Sequence, residues 1–249
     1  MDEQIPYQNE SEKKYALIEF VENPEPRCPY IILVDSSSSM GWASDEGIIP
    51  IDKLNEGLEV FKKELLKNEL AAKRVELGVI AFDSEARNLT DGFVSPKNYE
   101  PTKIEAEGCT RMCDAIKLAY ALTEGRKQQY KAAGVQYYRP WIVLLTDGTP
   151  TDSEGNPLEY DSQEFQEVVN LVHNGVAEKK FSFFAIGVGE DVDMEALSQI
   201  CTPNRPPKKL SGMKFSELFK WLSDSATSRS SSTIGDKVAL PATSGWDED

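Results

Sequence analysis

The sequence predicts an α/β fold: a Rossmann-like, doubly wound and mainly parallel central sheet flanked by helices on both faces. Two observations carry this expectation. Four segments, YIILVD (30–35), RVELGVIAFD (74–83), RPWIVLLTDG (139–148) and KFSFFAIGVG (180–189), are nearly continuously apolar through their centres, as strands covered on both faces must be. Between them lie stretches whose apolar residues recur at helical spacing, and strands alternating with helices pair in parallel through crossovers.

Taken in order, residues 1–27 form a polar leader dotted with Pro6, Pro24 and Pro26, with an edge strand expected around YALIEF (15–20). The first core strand runs from Tyr30 to Asp35. Residues 52–73 read as a helix, because Leu54, Leu58, Phe61, Leu65 and Leu66 share a face and Asp52 stands where a cap belongs. The strand 74–83 follows, and then an irregular stretch, 84–106, with a short edge strand. Further helices are expected at 112–132, 161–178, 193–200 and 214–227. The domain is thus placed at 28–227. From residue 228 the chain becomes Ser-rich, loses periodicity and ends in GWDED, which reads as an acidic tail with accessible hydroxyls.

Charge narrows the partners. The 249-residue chain carries 27 Lys and Arg against 42 Asp and Glu, a net charge of −15. Such a surface repels phosphate backbones and anionic lipid, so nucleic acid and membranes are excluded as partners. No apolar run approaches the roughly 18 residues of a membrane span, and the first residues lack a signal peptide's apolar core. A cytoplasmic location is expected, with Cys28, Cys109, Cys113 and Cys201 as reduced thiols.

Asp35 stands at the end of one core strand and Asp147 at the end of another. In open α/β sheets ligands bind at the carboxyl ends of the strands, and two carboxylates meeting there repel each other unless a positive charge lies between them. Ser37 and Ser39 alternate with Asp35 in DSSSSM, so the three side chains can converge. Their hard oxygens suit Mg²⁺, with Mn²⁺ or Ca²⁺ as alternatives. Neutral hydroxyls leave such an ion less neutralised than a cage of carboxylates would. Asp152, Asp161, Asp191 and Asp193 read as a solvated acidic rim.

Enzyme readings are weaker. A phosphatase with an aspartate nucleophile needs a second aspartate two residues on, where Ser37 stands. A serine hydrolase needs a histidine and a G-x-S-x-G turn, and the chain offers only His173 and no such turn. A Mg-dependent hydrolase or phosphatase using Asp35 is the alternative function.

The set Asp35, Ser37 and Ser39 in D-x-S-x-S, Thr110 in EGCTRMCDAI and Asp147 in LLTDGTPTD resembles the von Willebrand factor A domain. The resemblance covers roughly residues 28–225. It implies that these five residues form a metal-ion-dependent adhesion site without catalysis, to which a protein partner adds an acidic side chain. TDGTPTD and the tail's LP and GW look like the bacterial TerY-like, tellurite-resistance-associated branch. That branch implies a scaffold beside a protein kinase and a phosphatase.

Overall fold

The computed structural model of the chain describes residue 20, residues 22–44 and residues 47–247. Six strands form one sheet: β1 (Cys28–Asp35), β2 (Val75–Phe82), β3 (Ala86–Asn88), β4 (Trp141–Thr146), β5 (Ser182–Gly187) and β6 (Lys208–Lys209). Their order is β3-β2-β1-β4-β5-β6, with β3 antiparallel and every other pairing parallel. The order reverses direction between β1 and β4. There the crossover connections diverge to opposite sides and leave a crevice at the carboxyl ends.

Alternation along each strand builds two cores. Tyr30, Ile32 and Val34 face one side with Val79, Val143 and Ile186, covered by helices α1 (Pro50–Leu66), α2 (Glu69–Arg74) and α6 (Phe215–Ser230). Ile31 and Leu33 face the other with Ile80, Ile142 and Leu144, covered by α3 (Met112–Ala133), α4 (Gln163–Ala177) and α5 (Met194–Ile200). Helices α1 and α6 approach closely because Gly57 has no side chain; a Cβ there would lie 2.3 Å from the Phe219 ring.

Several expectations are corrected. The helix drawn over 52–73 breaks at Lys67–Asn68, where the Asn68 side chain accepts from the Ala71 N–H at 2.9 Å and caps a new helix. Asp52 does not cap α1. Ile49 holds that position and Pro50 opens the helix, leaving Asp52 in the first turn. The edge strand expected around YALIEF lies almost wholly outside the described residues. The short strand β6 has too little pattern to be seen in sequence.

The boundary drawn at residue 228 falls inside α6, because Ser223, Ser225 and Ser230 lie on that helix's buried face. Beyond it the chain folds back. Trp246 is buried against Trp221, their rings 5.2 Å apart, and Trp221 Nε1 donates to the Pro241 carbonyl at 2.8 Å. Serine richness hid this, since small hydroxyl side chains can be buried when they return a hydrogen bond to their own helix. Ser230 does so, donating to the Thr227 carbonyl at 3.0 Å. The hydroxyls expected to be accessible are therefore divided: Ser228, Ser231 and Thr233 are exposed, Ser225 and Ser230 are not.

Candidate functional site

The crevice between β1 and β4 gathers the residues singled out in the sequence. Asp35 closes β1 and is fully buried. Its Oδ1 accepts from the Ser37 N–H at 2.8 Å, which turns the chain sharply after the strand. The Thr146 hydroxyl donates to its Oδ2 from the end of β4. Ser38 to Gly41 then form a single 3-10 turn pinned by buried Met40. That turn brings Ser39 Oγ back to 3.1 Å from Ser37 Oγ and lets it donate to Asp147 Oδ1 at 2.9 Å. Asp35, Ser37, Ser39 and Asp147 thus form one connected set of oxygens.

Thr110 enters from a third segment. Its N–H donates to Thr151 Oγ1 at 3.0 Å and its carbonyl accepts from the Thr151 N–H at 2.9 Å, fixing it beside the β4 loop. A Cβ placed on Gly148 would lie 3.0 Å from Thr110 Oγ1 and 3.8 Å from Asp35 Oδ2. Those two oxygens therefore flank a space that only glycine leaves open. The turn before Thr110 depends on Gly108, whose φ of 70° is left-handed and whose carbonyl accepts from the Ser38 N–H at 3.1 Å. Gly108 takes the left-handed conformation at no steric cost, and Cys109 after it keeps a negative φ.

Burial dominates the electrostatics. It pushes the Asp35 carboxyl up to about 7, with repulsion from Asp147 adding to the rise against hydrogen bonds from Ser37 and Thr146. Burial likewise raises Asp147 to about 6, opposed by Ser39. Among the described residues neither carboxylate has a cationic partner. No group of three or more His, Cys, Asp or Glu there is placed to hold an ion; the set is two carboxylates and three hydroxyls. That is an all-oxygen donor set of the kind hard divalent cations take.

One neighbour was missed. Asp83 follows β2 as Asp35 closes β1, and Ser36 Oγ donates to its Oδ2 at 3.0 Å. The signal was present, since Asp83 also follows an apolar strand. The proposed acidic rim is partly spent on local structure. Asp152 accepts from the Glu154 and Asn156 N–H groups of its own turn, and Asp193 caps α5 and accepts from the Tyr160 hydroxyl. His173 Nε2 lies 3.0 Å from the Cys201 carbonyl.

The sequence model of the von Willebrand factor type A domain matches residues 31–219. The chain belongs to that family. Among curated relatives, inter-alpha-trypsin inhibitor heavy chain H4 from Sus scrofa is 30% identical over 53% of this chain and 14% of its own length. The Homo sapiens protein of that name is 26% identical over 70% of this chain and 17% of its own. The chain therefore spans well under a fifth of the curated relatives it matches. Solved structures share the fold at low identity. The pilus adhesin SpaC of Lactobacillus rhamnosus GG superposes with a TM-score of 0.61 at 14% identity, covering 82% of this chain and 31% of that one. The type V pili tip protein Mfa5 of Porphyromonas gingivalis, represented by its vWF domain, gives 0.56 at 11%, covering 80% and 94%. These structures share the fold of this chain, whose residues 31–219 make up its von Willebrand factor type A domain.

Proposed function

We propose that this domain binds a protein partner through a divalent cation held by Asp35, Ser37, Ser39, Thr110 and Asp147. The observation that carries the reading is the pair of buried carboxylates joined through Ser37 and Ser39, with no counter-charge among the described residues. Mg²⁺ is the proposed ion, with Mn²⁺ or Ca²⁺ able to use the same oxygens. When bound, the ion supplies a compact positive charge with positions left for an outside oxygen.

The chain's residues do the rest. Asp35 is oriented by the Ser37 N–H and Thr146, the 3-10 turn presents both serine hydroxyls, and Gly148 keeps the space beside Thr110 clear. Because three of the five side chains are neutral, a partner's carboxylate remains an attractive further ligand. Trp42, 70% exposed just beyond the turn, supplies an apolar contact beside it.

Binding rather than turnover is proposed. Both Asp35 oxygens are engaged, and the carboxylate is fully buried, which suits a fixed ligand better than a nucleophile. The proposed setting is cytoplasmic, in keeping with four unpaired thiols, and the finer placement beside a kinase and a phosphatase in a tellurite-resistance-like stress system rests on the TDGTPTD resemblance. Calorimetric titration with Mg²⁺ tests the core of the reading: Asp35→Ala should abolish binding while the circular dichroism spectrum is retained. Equal titrations of both proteins would refute the site. Mg²⁺-dependent phosphatase or esterase turnover that disappears in Asp35→Ala would instead establish the hydrolase.

A further inference from the structure

The opposite edge of the sheet carries the opposite charge. Arg139 precedes β4, Arg205 lies between α5 and β6, and Arg229 is in the last turn of α6. Helices run back along the strands they cover, so helix ends and strand starts share this edge. Trp141, around which the arginines gather, opens β4 six residues before Asp147, roughly 20 Å along the strand at about 3.3 Å per residue.

Aromatic rings bring the arginines together. The Arg229 guanidinium lies over Trp141 at 5.1 Å and that of Arg205 over Phe184 at 4.1 Å. The two rings are themselves 4.4 Å apart. Arg229 Nη2 also donates to the Arg139 carbonyl at 2.5 Å, which places the third residue alongside. Among the described residues none of the three is ion-paired with a carboxylate, although the chain carries 42 of them. Beneath Arg229, Trp141 is only 3% exposed and its Nε1 N–H has no acceptor. Partial desolvation of its guanidinium lowers the pKa of Arg139 although the residue is exposed, and Arg229 lowers it further; burial, Arg229 and Arg139 together lower that of Arg205. The cluster is therefore rich in donors, mutually repulsive and without an anion.

We propose that Arg139, Arg205 and Arg229 form a binding site for a phosphoryl oxyanion, with the Trp141 indole N–H as a further donor. Three fixed charges exceed what one carboxylate can offset, whereas a phosphate monoester brings about 1.5 to 2 negative charges and three acceptor oxygens. Guanidinium forks match those oxygens in pairs, and ring stacking holds the forks in place before the ligand arrives. The site is independent of the metal reading, since it shares no residue with it.

The test titrates the whole chain, at fixed ionic strength, with inorganic phosphate, with a neutral peptide containing one phosphoserine, and with acetate. Phosphate and phosphopeptide should bind at least about tenfold more tightly than acetate, and Arg139→Glu should weaken both by about tenfold or more. Arg139 is exposed, so that variant should fold. Arg205→Lys and Arg229→Lys keep the charge but lose the fork, and each should weaken phosphate binding by about threefold or more. A tighter hold on the phosphopeptide assigns a protein-borne phosphate, and a tighter hold on inorganic phosphate assigns the free ion. Acetate binding as tightly as phosphate, or phosphate affinity unchanged in Arg139→Glu, overturns the proposal.

Discussion

Strands β1 and β2 lie side by side in register, and each delivers an aspartate to the carboxyl edge of the sheet, yet the two carboxylates are held in opposite ways. Asp83 is buried with a guanidinium of its own: Arg87 donates from Nη1 to Oδ1 at 2.9 Å and from Nη2 to Oδ2. Burial works against its charge, but Arg87, the Glu85 N–H and Ser36 outweigh burial and hold its carboxyl below the ordinary value. Asp35 is buried more completely, has only dipoles around it and faces Asp147, so its carboxyl rises to about 7. A buried carboxylate supplied with its own cation belongs to the scaffold. One left without a cation stores a demand for positive charge, and that demand is what a binding site consists of.

The two carboxylates differ most in their response to pH. Between the ordinary value of 3.8 and about 7, the folded metal-free domain keeps a proton on Asp35 that the unfolded chain releases. Stability contributed by this group is therefore full below pH 4 and is lost as pH rises toward 7. The rise from 3.8 to about 7 corresponds to an upper bound on the order of 4 kcal/mol. Asp83, with its lowered carboxyl, acts with the reverse sign and loses its contribution as pH falls. Urea melts of metal-free protein at pH 5 and pH 8 should show Asp35→Asn gaining on wild type at the higher pH. Saturating Mg²⁺ should remove the wild type's deficit there. Parallel profiles for the two proteins would end the argument.

Removing the cation from the settled aspartate comes next. Arg87→Met should destabilise by about 2 kcal/mol, less than a fully buried pair would cost because Arg87 is 41% exposed. Adding Asp83→Asn should recover part of that loss. If Arg87→Met melts like wild type, Asp83 does not depend on its partner.

Gly148→Ala acts within the oxygen set itself. The new methyl would crowd Thr110 Oγ1 at 3.0 Å, and stability should change by about 1 kcal/mol. Mg²⁺ affinity should fall by about tenfold, which calorimetry reads directly. An unaltered affinity would remove Thr110 from the ligand set. The smallest effect on folding belongs to Trp42→Ala, within about 0.5 kcal/mol for so exposed a side chain. Its effect should appear only as weaker Mg²⁺-dependent capture of a partner, and equal capture would exclude Trp42 from the docking surface.

The same contrast explains what was legible in the sequence. Each of β1, β2, β4 and β5 announces itself because a strand covered on both faces has no polar side to interrupt it. Asp35, Ser37, Ser39 and Asp147 were legible because each stands at or beside the end of such a strand. Asp83 satisfied that rule too, and its role turned on Arg87, four residues on in an edge strand too short to show a pattern. Arg139, Arg205 and Arg229 share no spacing; only the meeting of Trp141 with Phe184 joins them. The docking of Trp246 was hidden for a related reason, since one tryptophan in a polar stretch carries no period.

The tie between Arg74 and the Ser230 carbonyl, with Nη1 donating at 2.6 Å, spans 156 residues. A ribosome working at roughly 5 to 20 residues per second delivers those two ends about 8 to 30 s apart. Through that interval β1 and β2 are already made, but α6, which must cover their Ile32 and Val79 face, is not. The nascent chain thus spends many seconds with only α1 and α2 over that face, and the part of it that Phe215, Leu218, Phe219 and Leu222 cover stays open until the last helix arrives.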